Sequence, residues 1–288
     1  MTTTQTDNTG EPLSPELIAL TRKSLAQLYA ATQHAESLVD SVLSLPLVQV
    51  AIEHVHLAAD ARPDRSPRAA AEAAALELLT LPPEQWSAVL AALAPRQQKA
   101  ALQHVLAAAR PFARTEPDRA HRLAGSILRV IRNDRLPPRA PLLRRQLAGH
   151  ALLLRARALM TLHACADALR VVTEAHAAFP RGDAYAHDRI QAQLLRGQLL
   201  GATGHAADAL QTLTACAQFA VVHIDPCALV DALAAAAVLL CSHREYAVAH
   251  SALALAAHVA GRPGNEASLP PLYASRAECA FLGYPDAL

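Results

Sequence analysis

The chain has 288 residues, 52% of them hydrophobic, enough for one large domain or two ordinary ones with a sizeable core. Twenty-six basic residues against 25 acidic ones leave a formal charge of +1, too weak a field to draw nucleic acid or an anionic membrane from a distance, although it leaves room for a local basic patch. Aromatic residues make up only 3% and glycine contributes 10 positions, while Ala and Leu recur throughout, so an all-α fold is expected.

The opening MTTTQTDNTGEP is polar, without the basic start or apolar run of a secretory signal, and residues 1–12 read as a disordered tail. A helix should start at Pro15, one position past the capping Ser14, and open a group of N-terminal helices over 13–60. ARPDRSPRAA, around 61–70, is a charged break, and LPPEQWSAVLAAL repeats the start signal with Pro82, Pro83 and Glu84. APRQQKAALQHVLAAARPFA and EPDRAHRLAGSILRVIRNDRLPP then carry apolar residues at spacings of three and four, each ended by Pro or Asn-Asp, so 69–145 reads as helical hairpins. Whether they continue the repeats that follow is left open by their register.

After the RLPPRAP break at 135–141 the chain repeats itself. Aligning LRARALMTLHACADAL (154–169) with LRGQLLGATGHAADAL (195–210) puts Arg155 on Arg196, Ala156 on Gly197, Leu159 on Leu200, Asp167 on Asp208 and Ala168 on Ala209. A third stretch, AAAVLLCSHREYAVAH (235–250), places Ala237, Leu240 and Ala249 in the same columns. Val172, Leu213 and Leu253 share a further apolar column, and the period is about 40 residues. Gly197 then belongs to a column where two helices approach closely, and Gly204 to a turn that needs a positive φ. With no strand, no lysine and the wrong spacing, RGQLLGATGHAADAL is not a phosphate loop.

These units resemble tetratricopeptide repeats (TPR), most clearly in LLRARALMTLHACADALRVVTEAHAAFP, which keeps the small Ala156, the large Leu159, the small Ala168, Val172, Ala175 and the closing Pro180 in the family's order. It departs from the family at Leu152, Arg155 and Leu159, where Trp, Leu and Tyr are usual, and the other units lack the closing proline. The period also exceeds the usual 34, which implies longer helices, like those of bacterial regulatory repeat proteins. The resemblance implies antiparallel helical hairpins stacked into a right-handed solenoid over 146–260, with 261–288 as a linker and C-terminal capping helix. It also implies a concave groove lined by the first helix of each unit, a surface that takes a peptide or helix of another protein. Carried onto this sequence, the groove positions are His150, Leu153, Arg157 and Met160, then Gln191, Leu194 and Gln198, then Asp231, Val238 and Ser242. Arg157 and His150, two turns apart on one face, suit an acidic group on the partner.

Other chemistry finds little support in the residues. Among 14 histidines, His54 with His56, and His223, Asp225, Cys227, Cys241 and His243, are the nearest to a metal set, but residues two apart on a helix diverge, and no metal or other cofactor is expected. No nucleophile stands beside a base, so no catalytic residues are assigned and no enzyme is expected. Asp167 and Asp208 suit the positive end of a helix dipole. Cys165, Cys216, Cys227, Cys241 and Cys279 are odd in number, scattered and without a CxxC pair, and they read as reduced, buried small hydrophobes. RVIRNDRLPPRAPLLRR (129–145) is basic, but its prolines break the helix that a groove reader needs, so no nucleic-acid partner is expected. No run approaches the roughly 20 apolar residues of a membrane span, since ALVDALAAAAVLLC is interrupted by Asp231. The sequence therefore points to a cytoplasmic, non-catalytic adaptor or regulatory scaffold for a protein or peptide partner. The alternative is a TPR-like transcriptional regulator that senses a peptide or small ligand.

Overall fold

A computed structural model describes residues 13–43, 65–132, 141–262, 265 and 268–282. The tail over 1–12, His54, His56 and most of the RLPPRAP break lie outside them. Among the described residues every regular element is helical. In chain order these are α1 (Pro15–Leu43), α2 (Arg65–Thr80), α3 (Trp86–Ala91), α4 (Pro95–Ala109), α5 (Phe112–Thr115), α6 (Pro117–Arg132) and α7 (Pro141–Thr161). There follow α8 (Cys165–Ala178), α9 (Ala186–Ala202), α10 (Ala206–Val222), α11 (Pro226–Ser242), α12 (Tyr246–Ala260) and α13 (Leu269–Phe281). Short 3₁₀ turns at Pro83–Gln85 and Asp183–Tyr185 precede α3 and α9. Consecutive helices pack as adjacent pairs, so the all-α expectation holds.

The sequence signals for helix starts act as their chemistry requires. Ser14 Oγ accepts from Leu17 N at 3.2 Å, directly ahead of Pro15 at the first helical position. Asp225 Oδ1 accepts from Ala228 N at 3.0 Å to cap α11, with Pro226 again first in the helix. Asp167 and Asp208 lie in the first turns of α8 and α10.

The chain divides into two compact units, one of residues up to Thr32 together with Arg181–Leu288, the other Gln33–Pro180. The division after Pro180 falls inside the 146–260 stretch that the sequence repeats span. In the 33–180 unit α7 is the central helix, packed on α4, α5, α6 and α8. Its buried residues include Leu147, Gly149, Leu152, Leu154 and Ala156, which point in all directions around the axis, as a helix enclosed by neighbours demands. In the other unit α11 holds the same place, packed on α9, α10, α12 and α13. The Ala-rich run ALVDALAAAAVLLC, the longest apolar stretch of the sequence, is thus the middle of a helical layer, where small side chains let neighbouring helices close in.

One turn recurs at four hairpins. His163, Gly204, Ile224 and Arg244 each adopt positive φ (59°, 84°, 52° and 63°) just past a helix end. In each, the next residue's N–H reaches back five positions, from Ala164 to Leu159 O, His205 to Leu200 O, Asp225 to Ala220 O and Glu245 to Leu240 O, all at 2.9 Å. This is the Schellman closure, which satisfies carbonyls that the helix end leaves open. Gly204 adopts that conformation at no steric cost, as its place in the sequence predicts. Ile224 does not, because a β-branched side chain in the left-handed region is strained by roughly 1–2 kcal/mol, and at 76% exposure its side chain gains little from burial. Ile224→Gly should therefore raise stability by about 1 kcal/mol despite glycine's greater unfolded-state freedom, seen as a higher thermal midpoint. No gain, or a loss, would mean that Ile224 is held there by contacts worth more than the strain.

Candidate functional site

The residues expected to line a groove fall in both units, four on α7 and six on α9 and α11. On α7, His150 is half-buried with its ring edge-on to Phe179 at 5.3 Å between centroids. Leu153 is 6% exposed and lies within the core. Arg157 and Met160 are half-buried further along the helix. His150 and Arg157 both already interact within the fold. Leu153 therefore lies on the part of α7 that its neighbouring helices cover.

On α9, Leu194 is 5% exposed and belongs to the core with Ile190 and Leu229. Gln191 is half-buried and Gln198 exposed. On α11, Asp231 and Val238 are half-buried, and Ser242 is exposed with its hydroxyl on Leu239 O at 2.7 Å. Gln191 and Asp231 already have partners in the fold. What stays available on this face is a mixed strip of amide, hydroxyl and aliphatic groups.

The His223 to His243 set disperses into separate local roles. Asp225 Oδ2 meets His187 Nδ1 at 2.5 Å, and His223 stands 3.9 Å from Asp183 and edge-on to Phe219 at 4.2 Å. Arg189 lies over the same Phe219 ring at 5.5 Å. His243 Nδ1 is 2.9 Å from Leu239 O at the end of its own helix. Among the described residues no three His, Cys, Asp or Glu side chains converge as a metal set would.

The cysteines are free thiols, with Cys216, Cys241 and Cys279 buried. Burial, and then Asp225 and Asp231, push Cys216 up to about 12. Burial, and then a thiol contact with Cys241, do the same to Cys279. Neither supplies a thiolate at neutral pH, which is the form a nucleophile needs. On α6, burial and then Arg155 lower His121, with Asp118 opposing.

A concave surface that the sequence did not reveal lies among α10, α11 and α12, and it is filled. The inward stripe of α1 (Leu17, Ile18, Thr21, Leu25 and Leu28) packs against the core of these helices. Thr21, Leu25 and Leu28 close over Leu213 and Ala217 of α10, Leu233, Ala236 and Leu240 of α11, and Ala252 of α12, and leave a cavity of only about 10 Å³. Such a space is at the lower limit for a single water. Tyr29 meets His258 of α12 with ring centroids 5.8 Å apart and the planes tilted by 41°. The stripe recurs at spacings of three and four through LIALTRKSLAQL (17–28), but no local signal says which helices it covers.

No known protein-family model, curated protein or solved structure matches the chain. Among the described residues, no helix is long and apolar enough to cross a membrane.

Proposed function

We propose that the 181–288 portion is a non-catalytic, TPR-like adaptor module that holds a peptide or helix of a partner protein on the face of α9 and α11. The observation that carries this reading is the recurrence of one packing rule. α9 packs on α10 and on α11, and α11 packs on α12 and on α13, so each first helix meets its own second helix and the first helix of the next unit. The same Schellman closure ends α9, α10 and α11 at Gly204, Ile224 and Arg244. A repeated rule of this kind sets first helices side by side, and it is what gives solenoid proteins a continuous binding face. Gln191 and Gln198, then Asp231, Val238 and Ser242, present hydrogen-bonding groups around an aliphatic strip on that face, the composition that suits a peptide. Arg157 and Met160 on α7 are the equivalent positions of the 33–180 unit.

The test is affinity capture from native lysate with the full chain against a Gln198→Arg, Ser242→Arg double variant, both changes being at exposed positions that leave the core intact. A partner enriched by the parent and reduced at least tenfold by the variant, with unchanged circular dichroism, supports the face as the site. Full retention of every partner by a folded variant removes these residues from the interface.

A further inference from the structure

The near-neutral total of the chain hides an uneven distribution of charge. Residues 96–132 hold eight basic side chains and two acidic ones, whereas the whole chain has 26 and 25. Within that stretch α6 is sharply two-faced, with Leu123, Ala124, Ile127 and Ile131 buried and Arg122, Arg129 and Arg132 exposed on the opposite side. Spacings of seven and three set the three guanidinium groups in one row about 15 Å long. No carboxylate answers this row. Arg119 of the same helix turns to Glu116 at 3.2 Å and lies over the Phe112 ring at 4.3 Å, but among the described residues none of Arg122, Arg129 and Arg132 makes an ion pair. Asp118 stands in the first turn, where it suits the helix dipole, and Arg129 and Arg132 suit the opposite end. Arg122, two turns before Arg129, has no such use. The arginines of α7 are engaged elsewhere, since Arg145 caps α8 and Arg144 and Arg157 have partners in the fold. Arg114, exposed on α5, which packs on α6, adds a further cation nearby.

We infer that this face of α6 binds the sugar–phosphate backbone of duplex nucleic acid without reading its sequence. The basic side chains of 96–132 are seven Arg and one Lys, and the planar guanidinium fork matches a phosphate as a lysine point charge does not. A protein partner of such a face needs an apolar centre from which water is excluded. Among the described residues none of the exposed large hydrophobic side chains lies on α4, α5 or α6. The same lack counts against an anionic membrane, which holds peripheral helices firmly where apolar groups enter it. A single strand needs aromatic platforms for its bases, and Phe112 is half-buried beneath Arg119. What the row offers is positive charge alone, with open space over Gly125 in its middle, where a Cβ would meet nothing within 4 Å. Duplex DNA answers it with one negative charge per about 1.7 Å of axis. A contact along the outside of the duplex needs no helix inside a groove, which is the requirement that the prolines of 129–145 fail. The row lies in the 33–180 unit, so it and the peptide-binding face of 181–288 stand or fall separately.

The probes are short fluorescein-labelled duplexes of arbitrary sequence, one DNA and one RNA, titrated with the full chain and followed by anisotropy at about 50 and 200 mM salt. Arg122→Gln with Arg129→Gln and Arg132→Gln removes the row. Arg22→Gln with Arg181→Gln and Arg196→Gln, all at exposed positions elsewhere, lowers the net charge equally and is the control. Both triple variants should keep the circular dichroism of the parent. The parent should bind at least one duplex, more weakly as salt rises. The row variant should bind it at least tenfold more weakly at about 50 mM salt, with a salt slope smaller by about two to three. The control should stay within about twofold of the parent. An equal loss in both variants would make binding an effect of net charge and overturn the inference, as would no binding of either duplex at about 50 mM salt. Binding by the parent that does not weaken with salt overturns it without any variant. Unlabelled polyglutamate and phosphatidylserine vesicles serve as competitors. Displacement by either one, at matched charge, as complete as that by unlabelled duplex would assign the row to an acidic protein or a membrane and overturn the inference equally.

Discussion

Phe179→Ala is expected to cost about 3–5 kcal/mol, the upper range for truncating a buried aromatic side chain. Phe179 is 2% exposed at the end of α8, and its ring lies against the backbone of α7 where Gly149 leaves a gap. A Cβ at Gly149 would stand 2.5 Å from one ring carbon and 2.7 Å from two others. His150 adds its ring edge-on, and Arg145 Nη2 and Nε donate to Ala177 O and Ala178 O at 3.1 and 3.2 Å, so the end of α8 is pinned on three sides. Chemical unfolding of Phe179→Ala, Gly149→Ala and the double variant checks the contact as a cycle. Gly149→Ala alone should overpack the junction by roughly 1–3 kcal/mol, and in the Phe179→Ala background it should be nearly neutral because the ring it strikes is gone. Equal costs in both backgrounds would place the effect elsewhere.

That junction also shows where sequence reasoning stops. Pro180 drew attention as a closing proline, whereas the side chain that closes the hairpin is Phe179, and nothing local announces that its partner is a glycine thirty positions upstream. Arg145, which looked like part of a basic patch, caps α8. By contrast, Ser14, Asp167, Asp208 and Gly204 were legible because caps, dipoles and left-handed turns act over a few residues. His163, Ile224 and Arg244 occupy the same turn as Gly204, yet a histidine, an isoleucine and an arginine give no warning of positive φ. The tertiary packing imposes that conformation on them.

The candidate face divides along the same line. Gln191 and Gln198 lie on α9, and Asp231, Val238 and Ser242 on α11, but burial depends on what packs outside each helix. Leu153 and Leu194, at 6% and 5% exposure, owe their burial to neighbouring helices that the spacing of their own helix does not name. The seat for α1 was invisible for the complementary reason. Its Ala-rich lining reads as ordinary helix, and a concave surface arises only where second helices stand apart over a first helix beneath them.

Ala209→Leu is the sharper test of the repeat register, with an expected loss of roughly 1–3 kcal/mol from overpacking. Ala209 is 0% exposed, and its column partners Ala168 and Ala249 are 0% exposed as well, which is what a shared interhelical column requires. The space is limited from the opposite side too. A Cβ built at Gly197 would lie 2.7 Å from Cγ and Cδ2 of Leu213 and 3.6 Å from Ala209 O, so α9 and α10 meet at glycine and alanine with no slack. Three added carbons at Ala209 must therefore drive the helices apart or force a poor rotamer. Ala207→Leu, an exposed change two positions away, is the control and should stay within about 0.5 kcal/mol of the parent. Ala168→Leu should repeat the loss in the α7–α8 hairpin. A neutral Ala209→Leu would mean that α9 and α10 slide at little cost, and the recurrence of small residues at 168, 209 and 249 would then reflect an alanine-rich composition and not a repeated contact.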